Sequence, residues 1–84
     1  MSNVVFKNEE KISRPEISDN IRKIADGLEK GEINLKAGEE AVKLSPSSSC
    51  EFEIKVEEET DGELSLEMEI EWNSNGDEAD LEIG

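Results

Sequence analysis

The chain has no histidine and no tyrosine, and among its 84 residues it carries 1 cysteine, 1 tryptophan, 2 phenylalanines and 2 prolines. Each scarcity narrows what the protein can do. Without histidine, the side chain that most often moves protons near neutral pH is missing, and zinc loses its commonest nitrogen ligand. With Cys50 as the sole thiol, an internal disulfide is impossible, and Cys50 is expected to be a small buried hydrophobe. No apolar run approaches the roughly 18 residues needed to cross a bilayer. The first residues, Met1-Ser2-Asn3-Val4-Val5-Phe6, lack the basic region and long apolar stretch of a secretory signal, so a cytoplasmic location is expected. Basic side chains are scarce as well, 9 against 23 acidic ones, for a net charge of −14.

That charge is unevenly spread. Residues 1–30 hold six basic and six acidic side chains, and residues 31–50 hold two lysines and three glutamates. Residues 51–84 hold fourteen acids against Lys55 alone. Nearly all of the negative field therefore belongs to the C-terminal half. Such a field repels nucleic-acid phosphates and anionic membranes, so direct binding to either is disfavoured. The simplest use of an acidic face is to keep a small protein solvated. The basic residues are mostly lysine and the acids mostly glutamate, which points away from halophilic adaptation.

The clearest pattern is in residues 63–72, where Leu64, Leu66, Met68, Ile70 and Trp72 alternate with four glutamates and Ser65. Strict alternation describes a β-strand with one dry face and one wet, acidic face. The outgoing partner row is Cys50, Phe52, Ile54 and Val56. A two-residue Asp61-Gly62 loop would set inward residues against outward ones, so parity requires the three-residue loop Thr60-Asp61-Gly62. Gly62 then takes the left-handed position of a bulge turn. The inward pairs become Val56 with Leu66, Ile54 with Met68, Phe52 with Ile70, and Cys50 with Trp72. Outward, Lys55 faces Glu67, Glu53 faces Glu69 and Glu51 faces Glu71.

Parity also settles the hairpin before it. Ile33 and Leu35 share a face with Leu44 and Val42, which leaves Gly38-Glu39 as the loop with glycine first, as a type II′ turn requires. Residues 45–49, Ser-Pro-Ser-Ser-Ser, read as a loop in which Pro46 ends the strand. Upstream, Ser13-Arg14-Pro15-Glu16 is a capping box with proline in the first turn. Ile17, Ile21, Ile24 and Leu28 follow as the apolar stripe of a helix of about fifteen residues, which Gly31 terminates. Residues 4–12, with Val4, Phe6 and Ile12 in a period of two, are expected to add a weaker edge strand.

These elements imply an α+β fold: an antiparallel sheet of four to five strands with one amphipathic helix packed on one face. Residues 1–72 are expected to form one domain, and residues 73–84 an acidic C-terminal tail or a short extra strand through Leu81 and Ile83.

The arrangement resembles the amphi-Trp domain family, named for an amphipathic strand ending in tryptophan. The likeness rests on Lys11-Ile12-Ser13-Arg14-Pro15-Glu16 opening the helix, residues 24–31 closing it at Gly31, the Ala37-Gly38-Glu39 hairpin and residues 63–72. It covers roughly residues 5–72. The resemblance implies a compact prokaryotic domain and carries over no catalytic residue.

No constellation for chemistry emerges from the residues. Acid–base catalysis needs a carboxyl whose pKa is raised in a pocket, and the glutamates here fall on an open strand face. No catalytic, cofactor-binding or metal-binding residue is assigned, and no cofactor is expected. Residues 73–80 place oxygen side chains at alternate positions, but they lack the glycine placement and closing glutamate of a calcium loop and read as a polar turn. The expectation is a non-enzymatic acidic module that meets a protein partner through Glu53, Glu67, Glu69, Glu71 and Trp72. Trp72 has two readings, a plug at the end of the dry face or an interaction anchor at the sheet rim. The alternative function is a nucleic-acid mimic, whose carboxylates occupy the basic site of a nucleic-acid-binding protein. The residues name neither the partner nor the oligomeric state.

Overall fold

The computed structural model describes residues 2–74, which form one helix and four strands in two compact units with their boundary between Pro46 and Ser47. The fold is α+β, and its strands belong to two separate two-stranded antiparallel sheets.

The first unit begins with helix α1, Arg14–Lys30. Its start is the expected capping box. The Ser13 hydroxyl accepts from the Glu16 backbone N–H at 3.2 Å, and the Glu16 carboxylate accepts from the Ser13 backbone N–H at 3.2 Å. Two donors that the helix itself leaves unpaired are thereby satisfied. The Glu16 carboxyl is held below the ordinary glutamate range, first by the Ser13 hydroxyl and then by the Ser13 backbone. At the other end Gly31 is left-handed, with φ of 84°. Its N–H donates to Leu28 O at 3.3 Å and the Glu32 N–H donates to Gly27 O at 2.9 Å, the paired closure of a Schellman motif.

That closure turns the chain back against the helix. Gly27 is buried, and a Cβ on it would lie 2.7 Å from Glu32 O and 3.0 Å from Ile33 Cγ1. Only a glycine lets the helix backbone approach the following strand so closely. Ile33, 7% exposed, is the one buried large apolar residue among those described. Strand β1, Ile33–Ala37, then pairs with β2, Glu40–Leu44, in the expected register of Ile33 with Leu44 and Leu35 with Val42. Ile33, Leu35, Ala37, Val42 and Leu44 are buried or half-buried, and the residues between them are exposed. Gly38 has φ of 62°, and among the described residues no non-glycine residue has positive φ, so the Gly38-Glu39 loop has the sign pattern of a type II′ turn.

The second unit is a longer hairpin of β3, Glu51–Glu58, and β4, Leu64–Glu71. Its register is also the expected one, with Val56 opposite Leu66, Ile54 opposite Met68 and Phe52 opposite Ile70. Glu59 N–H donates to Glu63 O at 2.8 Å and Gly62 N–H to Glu59 O at 2.9 Å, which leaves Thr60, Asp61 and Gly62 as the loop. Gly62 is left-handed with φ of 89°, and the Asp61 carboxylate accepts from the Glu63 N–H at 3.0 Å.

Several expectations are corrected. Residues 4–12 form no strand. Only three of their side chains fit an apolar period, and none of the described strands pairs with their backbone. The four strands make two sheets of two where one sheet of four to five was expected. Cys50 is exposed rather than buried beside Trp72. It precedes the first ladder residue, Glu51, and its thiol donates to Ser47 O at 3.2 Å. The dry row of the second hairpin is exposed too, with Phe52 at 62%, Ile54 at 58% and Leu66 at 65%. A two-stranded ribbon is one layer thick, so its own residues cannot cover its own face. The extra strand through Leu81 and Ile83 and the polar turn at residues 73–80 lie outside the described residues, except for Asn73 and Ser74.

Candidate functional site

Alternation along β3 and β4 sends Glu51, Glu53, Lys55 and Glu57 to the same side as Ser65, Glu67, Glu69 and Glu71. The register sets Glu53 against Glu69 and Glu51 against Glu71, so like charges stand directly opposite at two consecutive outward positions. Lys55 interrupts the array. Its ammonium lies 3.4 Å from Glu67 Oε2 across the ladder and 3.6 Å from Glu57 Oε1 along its own strand. The charges of Glu57 and then Glu67 push the Lys55 pKa above the ordinary lysine range. All three side chains are about half exposed, so these pairs add little to stability. Glu51, Glu53, Glu69 and Glu71 have no cationic partner among the described residues.

The face therefore grades along its length. Near the turn it is partly neutralised by Lys55; toward Glu51 and Glu71 it is uncompensated. Of the residues expected to meet a partner, Glu53, Glu67, Glu69 and Glu71 share this one face, and Glu67 differs in being ion-paired. Trp72 follows the last ladder residue and is half-buried. Glu57, absent from the expected set, belongs to the same face. The signal for it was present in the sequence, since residues two apart on a strand point to one side.

The first unit contains an open groove of about 980 Å³ between α1, β1 and the N-terminal segment, with Phe6, Ile24, Ile33 and Leu35 among its lining residues. Its charged residues are mixed, with Lys23, Lys30 and Lys36 beside Glu10, Asp26 and Glu32. Glu32 is engaged by Lys43 at 3.1 Å and by the Asn34 amide at 3.3 Å. These contacts, led by the Lys43 hydrogen bond, hold the Glu32 pKa below the ordinary range. The pair links the residue before β1 to β2, and sequence reading missed it because Glu32 lies outside both strands. Among the described residues, no group of three or more Cys, Asp or Glu side chains has metal-holding geometry. No helix among them is long and apolar enough to cross a membrane.

A small α+β chain in which a capped helix precedes two hairpins, the last strand amphipathic and followed by the sole tryptophan, defines a recognisable class. The chain belongs to the Amphi-Trp domain family, whose model matches residues 1–84, the whole of it. No curated protein and no solved structure matches.

Proposed function

We propose that the protein is a non-enzymatic interaction module whose acidic β3–β4 face meets a basic surface on a protein partner, with Trp72 as an anchor at the sheet rim. The observation that carries this reading is the direct opposition of Glu53 to Glu69 and of Glu51 to Glu71 with one lysine nearby. Each such pair costs on the order of 0.2–1 kcal/mol of hairpin stability, so the face is better suited to an external cation than to the fold. Its field disfavours nucleic acid and anionic membranes as direct partners. The test is affinity capture from a native lysate with the wild-type chain beside a Glu53→Gln/Glu67→Gln/Glu69→Gln/Glu71→Gln variant. A partner retained by the wild type, lost by the variant and released by moderate salt supports the reading. Equal retention by both chains overturns it.

A second reading as a nucleic-acid mimic is favoured by one feature. Outward carboxylates two residues apart, about 6.8 Å along the strand, stand at Glu51 and Glu53 on β3 and at Glu67, Glu69 and Glu71 on β4, in two adjacent rows. Two short rows of anions toward the Glu51–Glu71 end resemble a stretch of duplex backbone as seen by a basic groove. Under this reading the captured proteins bind nucleic acid, and added duplex DNA displaces the module from them. Captured proteins indifferent to DNA return the assignment to the first reading.

A further inference from the structure

Two Asp–Gly dipeptides occur among the described residues, Asp26–Gly27 and Asp61–Gly62. Asp–Gly is the aspartate context most open to backbone rearrangement, because glycine puts no side chain beside the attacking nitrogen. The glycine amide nitrogen attacks the aspartate Cγ, its proton leaves with the carboxyl hydroxyl as water, and a cyclic imide forms. One water then opens the ring. Addition at Cγ restores aspartate; addition at the former backbone carbonyl gives isoaspartate, whose main chain runs through Cβ and Cγ. In sequence the two dipeptides are alike, and in structure they are not.

Asp26–Gly27 lies inside α1. There each backbone N–H is bonded to the carbonyl four residues back, and ψ is about −42°. Ring closure needs the glycine nitrogen freed from that bond and swung toward the aspartate side chain, which breaks the helix at this point. Gly27 is also buried, its carbonyl accepts from the Glu32 N–H at 2.9 Å, and Glu32 O and Ile33 Cγ1 crowd its Cα. Rotation there would undo the closure of α1 against β1.

Asp61–Gly62 is held by much less. The Gly62 N–H donates to Glu59 O at 2.9 Å, and the Asp61 carboxylate accepts from the Glu63 N–H at 3.0 Å. These two bonds turn the attacking nitrogen and the attacked carboxyl toward different neighbours. Both lie within one short loop, and the left-handed Gly62 can leave its conformation without a steric barrier from a side chain. Opening a loop of this kind is far easier than opening a helix interior.

We infer that Asp61–Gly62 is a self-modification site that converts to isoaspartate in the folded chain, while α1 protects Asp26–Gly27. The reacting nitrogen and carbon belong to adjacent residues, so no partner has to reach the site. The product adds one carbon to the main chain of the loop whose length sets the parity of β3 against β4. It also takes the Asp61 carboxylate away from the Glu63 N–H. Isomerisation at this turn therefore disturbs the register that sets Glu53 against Glu69 and Lys55 against Glu67.

Incubating the full chain in water enriched in heavy oxygen, at mildly acidic pH, tests this by peptide mass spectrometry. Each ring opening leaves one heavy oxygen at the residue that closed the ring. In the folded chain, label at residue 61 is expected to accumulate at least about tenfold faster than label at residue 26. Electron-based fragmentation should show isoaspartate at residue 61. Asn75–Gly76, outside the described residues, can close the same ring with loss of ammonia, and its different mass step keeps that signal apart. In guanidinium chloride, which removes both sets of constraints, the rates at residues 26 and 61 should agree within about threefold. The inference is overturned if residue 26 keeps pace with residue 61 in the folded chain, or if residue 61 labels only in denaturant. It is equally overturned if the denatured rates differ as widely as the native ones, since neighbouring residues and not the fold would then set them.

Discussion

The two units of this protein are both hairpin-bearing and both in register, yet they are stabilised in different ways. In the first, the helix closes with a left-handed glycine, the chain doubles back, and Gly27 and Ile33 come into contact so tight that no Cβ fits. In the second, the strands are longer and the alternation cleaner, and most of the apolar row is exposed. The difference separates two things that a hydrophobic pattern is often taken to specify together. Pattern and parity choose which residues pair. They do not choose what covers them.

The comparison can be broken most strongly at Gly27. Alanine is ordinarily the better helix former by about 1 kcal/mol, yet here its Cβ must displace a backbone oxygen. Gly27→Ala is expected to destabilise the first unit by about 1–3 kcal/mol, seen as a lower urea midpoint for the helical signal. A neutral or stabilising result would mean that α1 and β1 do not approach as described. Gly62→Ala puts a side chain where φ is 89°, and should cost the second hairpin about 1–2 kcal/mol while leaving helix content unchanged. Chemical-shift changes confined to residues near 51–71 would match this expectation; loss of helix would contradict it.

Ser13→Ala removes the helix cap and is expected to cost about 1 kcal/mol in the first unit alone. It also removes an acid limb. Because the folded-state pKa of Glu16 is lowered, its contribution is present above the ordinary glutamate value and is lost as pH falls through the lowered one. Helical stability followed by circular dichroism should fall across that acidic window in the wild type and stay flatter in Ser13→Ala. The smallest change expected is the gain from Glu69→Lys, which turns the opposition with Glu53 into an attraction. It should stabilise the second hairpin by a few tenths to about 1 kcal/mol, read as slower amide exchange on both strands. A loss of stability there would show that repulsion across the ladder is not what weakens this hairpin.

Much of the architecture was legible before the structure. The capping box, the terminator Gly31, both registers and both turn glycines follow from residues a few positions apart in the chain, where local geometry leaves few choices. The acidic face was legible for the same reason, since a strand of known register has a known side for every carboxylate. Three features were not. The period of two in residues 4–12 met no partner strand, so backbone pairing never followed. Cys50 sits one residue before the ladder, and the apolar count alone could not say where the ladder would start. The approach of Gly27 to Glu32 and Ile33 left only a glycine in a helix as its sign, and a glycine there reads first as a weak helix former.

What the sequence determined by itself, then, is pairing: which residues lie opposite one another, where the chain reverses, and which side carries the charge. These depend on parity and on backbone sign, and both are properties of short stretches. What only the tertiary structure decided is burial. It put Ile33 and Gly27 inside and left Phe52, Ile54 and Leu66 outside, although all the large residues among them are equally apolar in composition. Burial is set by which surface arrives from elsewhere in the chain, and alternation along one strand carries no record of that.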